Sequence, residues 1–376
     1  MGIFYCRTKI ISGSGAVVAL KELRPRRLML VTDPFFAENG TASRIAAASG
    51  AEKVEIFKEV APDPNVALAA AGTAKVKAFC PDVLVALGGG SAMDCAKAML
   101  FFSGVEATLV AIPTTSGSGS EVTDFAILTH DGVKHPLVDP QILPDVAILD
   151  DELLQALPKS LIADAGFDVL AHALEAYVAL NAGAVTDALA RDAFCKAFTC
   201  LPVSFAGDTS VRLEMHLAST MAGMAFSQAG LGLCHAMSHV LGGKFHVPHG
   251  RLNAILLPTV VEVNAPAAAE KYAEVARAAG LGGAADTVAL RNLKNGLVRL
   301  RKELRLPATL AQAGIEPQKV QSAQARIAEA VLADSPQVSW GRNASNCRSM
   351  NQGECFYLTH LLFSKTGELP GKKVES

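Results

Sequence analysis

Two apolar segments place acids and imidazoles at spacings that suit a single cation. In residues 166–177 (GFDVLAHALEAY), Asp168 and His172 stand four apart, so a helix puts both on one face. Residues 232–239 (GLCHAMSH) repeat that spacing with His235 and His239, and Pro248-His249-Gly250 follows after a short loop. A single histidine in such a segment is more often a core residue with one satisfied hydrogen bond. Grouping changes the balance, because an unpaired polar group in an apolar segment is costly and several of them sharing one divalent ion are not. Asp168 and three of the four histidines are therefore a candidate donor set. Nitrogen and oxygen donors without thiolate suit Fe(II), Zn or Mn, and such an ion acts as a Lewis acid on an alcohol or carbonyl oxygen.

A second constellation suits phosphate. The apolar run VLVAL is followed by Gly88-Gly89-Gly90-Ser91 and then by a strong helix former, Ala92 to Met99. Glycines let the backbone approach a ligand closely, and free N–H groups at a helix start favour an anion such as a pyrophosphate. Ser91 is the expected N-cap, with Asp94 three residues on in a near capping box. The run TLVAI leads into Pro113-Thr114-Thr115-Ser116-Gly117-Ser118-Gly119-Ser120-Glu121, with five hydroxyls and two glycines. Ligands of doubly wound sheets sit beyond the carboxyl ends of the strands, so both loops are expected to share one dinucleotide. Asp33, ending the run RLMLVT, is placed to bond an adenosine ribose and repel a 2′-phosphate, which favours NAD; an Asx turn before Pro34 is the competing reading.

These groups need positioning elements. Nearly continuous apolar runs at Arg27–Thr32, Val54–Phe57, Val83–Leu87, Thr108–Ile112 and Val146–Leu149 alternate with Ala-rich stretches, which predicts parallel strands covered on both faces. From about residue 151 the pattern is helical: DELLQAL, then Ala163–Ala182, Thr186–Leu201 and Arg212–Gly243. The fold class expected is α/β, an N-terminal Rossmann-like domain over 1–155 followed by an all-helical metal-binding domain over 156–376. A ligand cleft between them follows.

Composition narrows the functions. With 376 residues, half of them apolar and only 19% charged, the chain can bury a large core and disorder is excluded. A net charge of −2 gives no reason to expect a nucleic acid or an anionic membrane surface as partner. Eight cysteines without a CxxC pair read as free thiols in a reducing cytosol, and the amino end shows no secretory pattern. Residues 215–243 carry no Asp, Glu, Lys or Arg, but three histidines and five glycines make a buried core helix the better reading than a membrane span.

Taken together, GGGSAMDCAK, PTTSGSGSEVTDFA, GFDVLAHALEAY and GLGLCHAMSHVLGGKFHVPHG resemble the iron-containing alcohol dehydrogenase family. MAGMAFSQAGLGL followed by GGKFHVPHG is most similar to its microcompartment-associated 1-propanol dehydrogenase branch. The resemblance covers residues 8–330. It implies a dehydroquinate synthase-like frame, Fe(II) or Zn on Asp168, His172, His235 and His249, and His239 beside the nicotinamide as an acid/base. Gly89, Gly90, Ser91, Asp94, Thr114, Thr115, Ser118 and Lys134 would line the cofactor, with Asp33 pointing to NAD. Asp63 stands where many relatives have Asn, and beyond Ala333, through Trp340 to Cys355, the family pattern is not recognisable.

The reaction implied is reversible hydride transfer between NAD(H) and a short-chain primary alcohol or aldehyde, 1-propanol and propionaldehyde above others. Phe167, Phe226, Met221 and Met224 are candidates for a small apolar pocket. A glycerol dehydrogenase and a dehydroquinate synthase-like lyase use the same frame and cofactors, and a non-enzymatic scaffold is a third reading. The expected setting is the cytoplasm or a bacterial microcompartment within it, with a homodimer and shell or enzyme partners.

Overall fold

The computed structural model describes residues 4–131 and 133–338. Among them the strands are β1 (Lys9–Ser12), β2 (Arg27–Val31), β3 (Lys53–Phe57), β4 (Val83–Gly88), β5 (Thr108–Pro113), β6 (Phe125–His130), β7 (Val133–Val138) and β8 (Val146–Leu149). Helices α1 (Pro34–Glu38), α2 (Thr41–Ala48), α3 (Val66–Phe79) and α4 (Gly90–Ser103) lie between strands. Past β8 the chain is helical: α5 (Lys159–Val178), α6 (Ala184–Ala206), α7 (Arg212–Ala229), α8 (Leu233–Phe245), α9 (His249–Ala278), α10 (Asp286–Glu303), α11 (Pro317–Gln321) and α12 (Gln324–Val338). Trp340 and Cys355 fall outside the described residues.

Six strands form one parallel sheet in the order β1-β8-β5-β4-β2-β3. Its apolar runs are continuous because both faces are covered. Met29, Val31, Leu84, Ala86, Leu109 and Ala111 belong to one core, and the alternate residues Leu28, Leu30, Val83, Val85, Val110 and Ile112 to another on the opposite face. After β2 the chain runs outward to β3, whereas after β4 it runs the other way to β5. The strand order therefore reverses between β2 and β4, the position where α/β sheets leave a crevice at the carboxyl ends. Register Val31↔Ala86 sets Asp33 beside Gly88 at that crevice.

Five of the strands match the apolar runs, and three carry no such signal. β1 is a mostly exposed edge, and β6 with β7 is a separate antiparallel hairpin holding His130, Lys134, His135 and Pro136. DELLQAL contains only a 3₁₀ turn at Asp151–Leu154. The charge-free stretch expected as one core helix is two: Gly230, at φ 87°, ends α7, and α8 starts again at Leu233. Among the described residues α9 alone is long and apolar enough to cross a membrane, but Leu252, Ile255, Leu256 and Val260 are buried in the helical core.

The helical half meets the sheet half at the loop after β5. A Cβ on Gly119, at φ 65°, would lie 2.7 Å from Gly223 Cα on α7, so both glycines permit a backbone contact that no larger residue fits.

Candidate metal and cofactor site

The metal candidates come from three helices. Asp168 and His172 lie on α5, His235 and His239 on α8, and His249 is the first residue of α9. Donor atoms of Asp168, His235 and His249 all lie within 4.8 Å of one another. Asp168 Oδ1 is 3.7 Å from Nε2 of His235 and 3.7 Å from Nε2 of His249. Bonds of about 2.0–2.2 Å to one ion put neighbouring ligands roughly 3–3.5 Å apart, so a small contraction completes the sphere. The three donors fit a divalent cation in type and spacing.

His172 stands beside this trio and outside it. Its ring stacks on His235 at 4.5 Å and on Phe226 at 4.4 Å between centroids. Its Nδ1 lies 3.2 Å from the Gly117 carbonyl, an acceptor, so Nδ1 carries the hydrogen and Nε2 the lone pair, the form a ligand needs. His239 stacks on His249 at 5.0 Å and lines the same cavity.

Burial raises the Asp168 carboxyl, but the neighbouring imidazoles, His172 foremost, outweigh that and hold it well below the usual carboxylate range. Burial pushes His172 down to about 4 and His249 well below its ordinary value. His235 goes the other way, up to about 9, because Asp168 and Glu175 flank it and overcome its burial. His172, His249 and Asp168 are thus in the forms a cation requires, and the positive charge that Asp168 and Glu175 favour on His235 is one that a divalent ion would replace.

The cofactor candidates divide between the cavity wall and its support. A cavity of about 210 Å³ is lined by Gly90, Ser91, Asp94, Ser118 and Lys134 together with the metal candidates. Gly89, Thr114 and Thr115 sit behind: a Cβ on Gly89 would lie 3.4 Å from Thr115 Oγ1, and the Thr114 N–H donates to the Gly88 carbonyl. Ser91 is not the N-cap. Gly88, at φ 149°, turns the chain early and a Cβ there would meet Ala92 at 2.6 Å, so α4 begins at Gly90 with Gly89 as cap. Ser91 then falls in the first turn, and Asp94 forms no capping box; its carboxylate accepts from the Ser120 hydroxyl and the Ile127 N–H.

Asp33 caps α1, accepting the Phe36 N–H at 3.2 Å, as an Asx turn does. Its other oxygen lies 3.7 Å from the position of a Gly88 Cβ, at the edge of the glycine turn. Asp63 forms an ion pair with Lys134 at 2.8 Å on the cavity rim. Of the apolar candidates Phe226 reaches the wall, whereas Phe167 is core and Met221 and Met224 are absent from it; Phe125, Ile127 and Leu231 take their place.

Several supporting residues had no signal in spacing alone. His216 on α7 donates from Nε2 to the Pro113 carbonyl and accepts the Ser116 hydroxyl on Nδ1, pinning the hydroxyl-rich loop to the helical half. From the sheet side, Lys97 places its Nζ within hydrogen-bond reach of the Ser120, Thr123 and Phe125 carbonyls, and burial pushes it down to about 8. Asn253 donates to Asp168, and Arg251 grips Asp164 through two nitrogens at the start of α9.

A glycine-turn α/β half facing a helical half with a buried oxygen and nitrogen donor group is the frame of a metal-assisted oxidoreductase. The chain belongs to the iron-containing alcohol dehydrogenase family: residues 7–151 match the description "Iron-containing alcohol dehydrogenase", and residues 162–341 match "Fe-containing alcohol dehydrogenase family, C-terminal". That second match runs past Ala333, where the recognisable motifs stop. The chain is 42% identical to 1-propanol dehydrogenase PduQ of Citrobacter freundii over 90% of this chain and 96% of that protein. It is 36% identical to the NADPH-dependent butanol dehydrogenase of Clostridium saccharobutylicum, over 92% and 94% of the two chains. An iron-containing alcohol dehydrogenase from Thermococcus thioreducens has a TM-score of 0.88 at 33% identity, covering 96% of this chain and 99% of that one.

Proposed function

We propose that the protein is an NAD-dependent, Fe(II)-dependent dehydrogenase of short-chain primary alcohols, with 1-propanol and propionaldehyde as its substrate pair. One observation carries the reading: the Asp168, His235 and His249 donors and the Gly90–Ser91 helix start open on a single cavity, so an alcohol oxygen and a dinucleotide can meet there. The similarity to the propanol dehydrogenase supports the substrate.

Asp168, His235 and His249 would hold the ion, with His172 as the fourth ligand. When bound, the ion would supply Lewis-acid chemistry toward an alcohol oxygen and the nicotinamide would supply the hydride acceptor. The chain's own residues do the rest. The first-turn N–H groups of α4 and the Lys134 ammonium receive the pyrophosphate. Phe125, Ile127, Phe226 and Leu231 admit an alkyl chain and exclude water from one side of the cavity. His239, stacked on His249, is placed to carry the hydroxyl proton outward. The two-domain division near residue 155, a homodimer, and residence in the cytoplasm or in a microcompartment with shell or enzyme partners belong to this proposal through the resemblance alone.

The test is turnover by anaerobically purified, Fe(II)-loaded protein on a panel of alcohols and aldehydes with either nicotinamide cofactor. Net NADH accumulates with 1-propanol, at a kcat/KM about tenfold or more above that for glycerol. No net NADH with any primary alcohol would point instead to the lyase reading, in which the cofactor is regenerated in each cycle.

Cofactor choice has its own check. The NADPH-dependent relative makes the choice an open question within the family, and here Asp33 would repel a 2′-phosphate. Asp33→Gly keeps an acceptable N-cap, so α1 loses only a few tenths of a kcal/mol. The loss of a charge-assisted ribose contact, about 1.5–3 kcal/mol, narrows the NAD over NADP preference by about ten- to a hundredfold. An unchanged ratio of kcat/KM removes the role from Asp33.

A further inference from the structure

Glu175 lies on α5 three residues after His172, 3% exposed, and its carboxylate meets the start of α8. Oε1 accepts the Cys234 N–H at 2.6 Å. Oε2 accepts the N–H of Gly232 at 3.0 Å and that of His235 at 3.3 Å, and lies 2.6 Å from His235 Nδ1. Three backbone donors and one ring nitrogen thus converge on one carboxylate. The break between α7 and α8 at Gly230–Gly232 is what frees those N–H groups, and Glu175 satisfies them as an N-cap residue would, but from a neighbouring helix.

The contact also selects a tautomer. Oε2, which already accepts two backbone N–H groups, is an acceptor toward the ring as well, so a ring hydrogen of His235 sits on Nδ1 and a neutral ring has its lone pair on Nε2. Nε2 faces Asp168 Oδ1 across 3.7 Å. Asn253 corroborates this: its Oδ1 accepts from Ser238 and from the Cys234 thiol, which fixes Nδ2 as the atom pointing at Asp168 Oδ1, 2.7 Å away, and at His235 Nε2, 3.4 Å away.

We propose that Glu175 is a positioning residue for the metal centre, holding His235 by Nδ1 while capping α8, so that Nε2 is aimed at the cation as a donor. This rests on the reading of Asp168, His235 and His249 as metal ligands. Glu175→Gln keeps the volume and removes the charge that secures His235; its one amide oxygen replaces only one of the two accepting oxygens, so its NH2 group faces a donor on the other side. Partners of this kind govern metal affinity by about ten- to a hundredfold.

The experiment measures the dissociation constant for Fe(II), or for Co(II) as its stand-in, by chelator competition, alongside thermal unfolding of the metal-free protein. Glu175→Gln weakens the constant by about ten- to a hundredfold and shifts the Co(II) absorption bands. A purely structural Glu175 lowers the melting temperature and leaves the constant and the bands alone, which overturns the proposal. If Glu175→Gln does not fold, Glu175→Asp decides by the same measurement: it keeps the charge but withdraws the carboxylate by one methylene, and an unchanged constant overturns the proposal. His249→Ala separates the two levels. If it loses metal while the Glu175 variants bind normally, only the positioning role fails; if it retains metal, the ligand assignment fails and this proposal with it.

Discussion

Replacing His249 with Ala strips the protein of bound metal and lowers kcat/KM for alcohol oxidation by about a thousandfold or more, while both halves remain folded. The expectation follows from where His249 sits. It opens α9, with a quarter of its side chain exposed, so truncation leaves no deep cavity in the helical core. Its loss removes one of three donors that lie within 4.8 Å, and no other described residue of that donor group replaces it. Lewis-acid stabilisation of a developing alkoxide is worth several kcal/mol, and about 4 kcal/mol corresponds to a thousandfold in rate. Metal content and steady-state rates check the first part, and far-ultraviolet circular dichroism the second. Retained metal with retained turnover would reject the site.

The parts of this site visible in the sequence are those whose signal is local. Continuous apolar runs mark β2, β4, β5 and β8 because both sheet faces are buried, and a glycine turn follows β4 at the crevice. The DxxxH and HxxxH spacings mark faces of α5 and α8. What stayed hidden depends on contacts between distant segments. Glu175 reads as one acid on an apolar helix until α8 is packed against it, and His216 reads as a core histidine until the loop carrying Pro113 and Ser116 reaches it from about a hundred residues away. Ser91 misled for a related reason: its type suits a cap, but the φ of Gly88 had already set the helix start two residues earlier. Likewise the lack of charge from 215 to 243 spoke of burial and was silent about the break, which the glycines at 230 and 232 decide.

The same dependence on packing makes Gly250 a sensitive residue beside the proposed metal ligands. A Cβ there would lie 1.9 Å from the Asp164 carbonyl oxygen and 2.6 Å from its carbon, both backbone atoms of α5 that cannot rotate aside. Arg251, next in sequence, ties the same turn to the Asp164 carboxylate, so α9 is gripped against α5 at the point where His249 meets Asp168. Gly250→Ala must separate these helices. The steric cost is about 1–3 kcal/mol, seen as a lower melting temperature of the metal-free protein. The larger effect falls on function, because a displacement of about 1 Å between ligands on different helices is enough to cost roughly a hundredfold. Metal affinity and kcat/KM should therefore fall much further than stability does. Arg251→Lys, which loosens the grip without inserting an atom into the contact, should show the milder form of the same defect. A Gly250→Ala protein with unaltered metal affinity would mean that α9 can slide along α5 without moving His249, and the rigid coupling of helix packing to the metal centre would have to be abandoned.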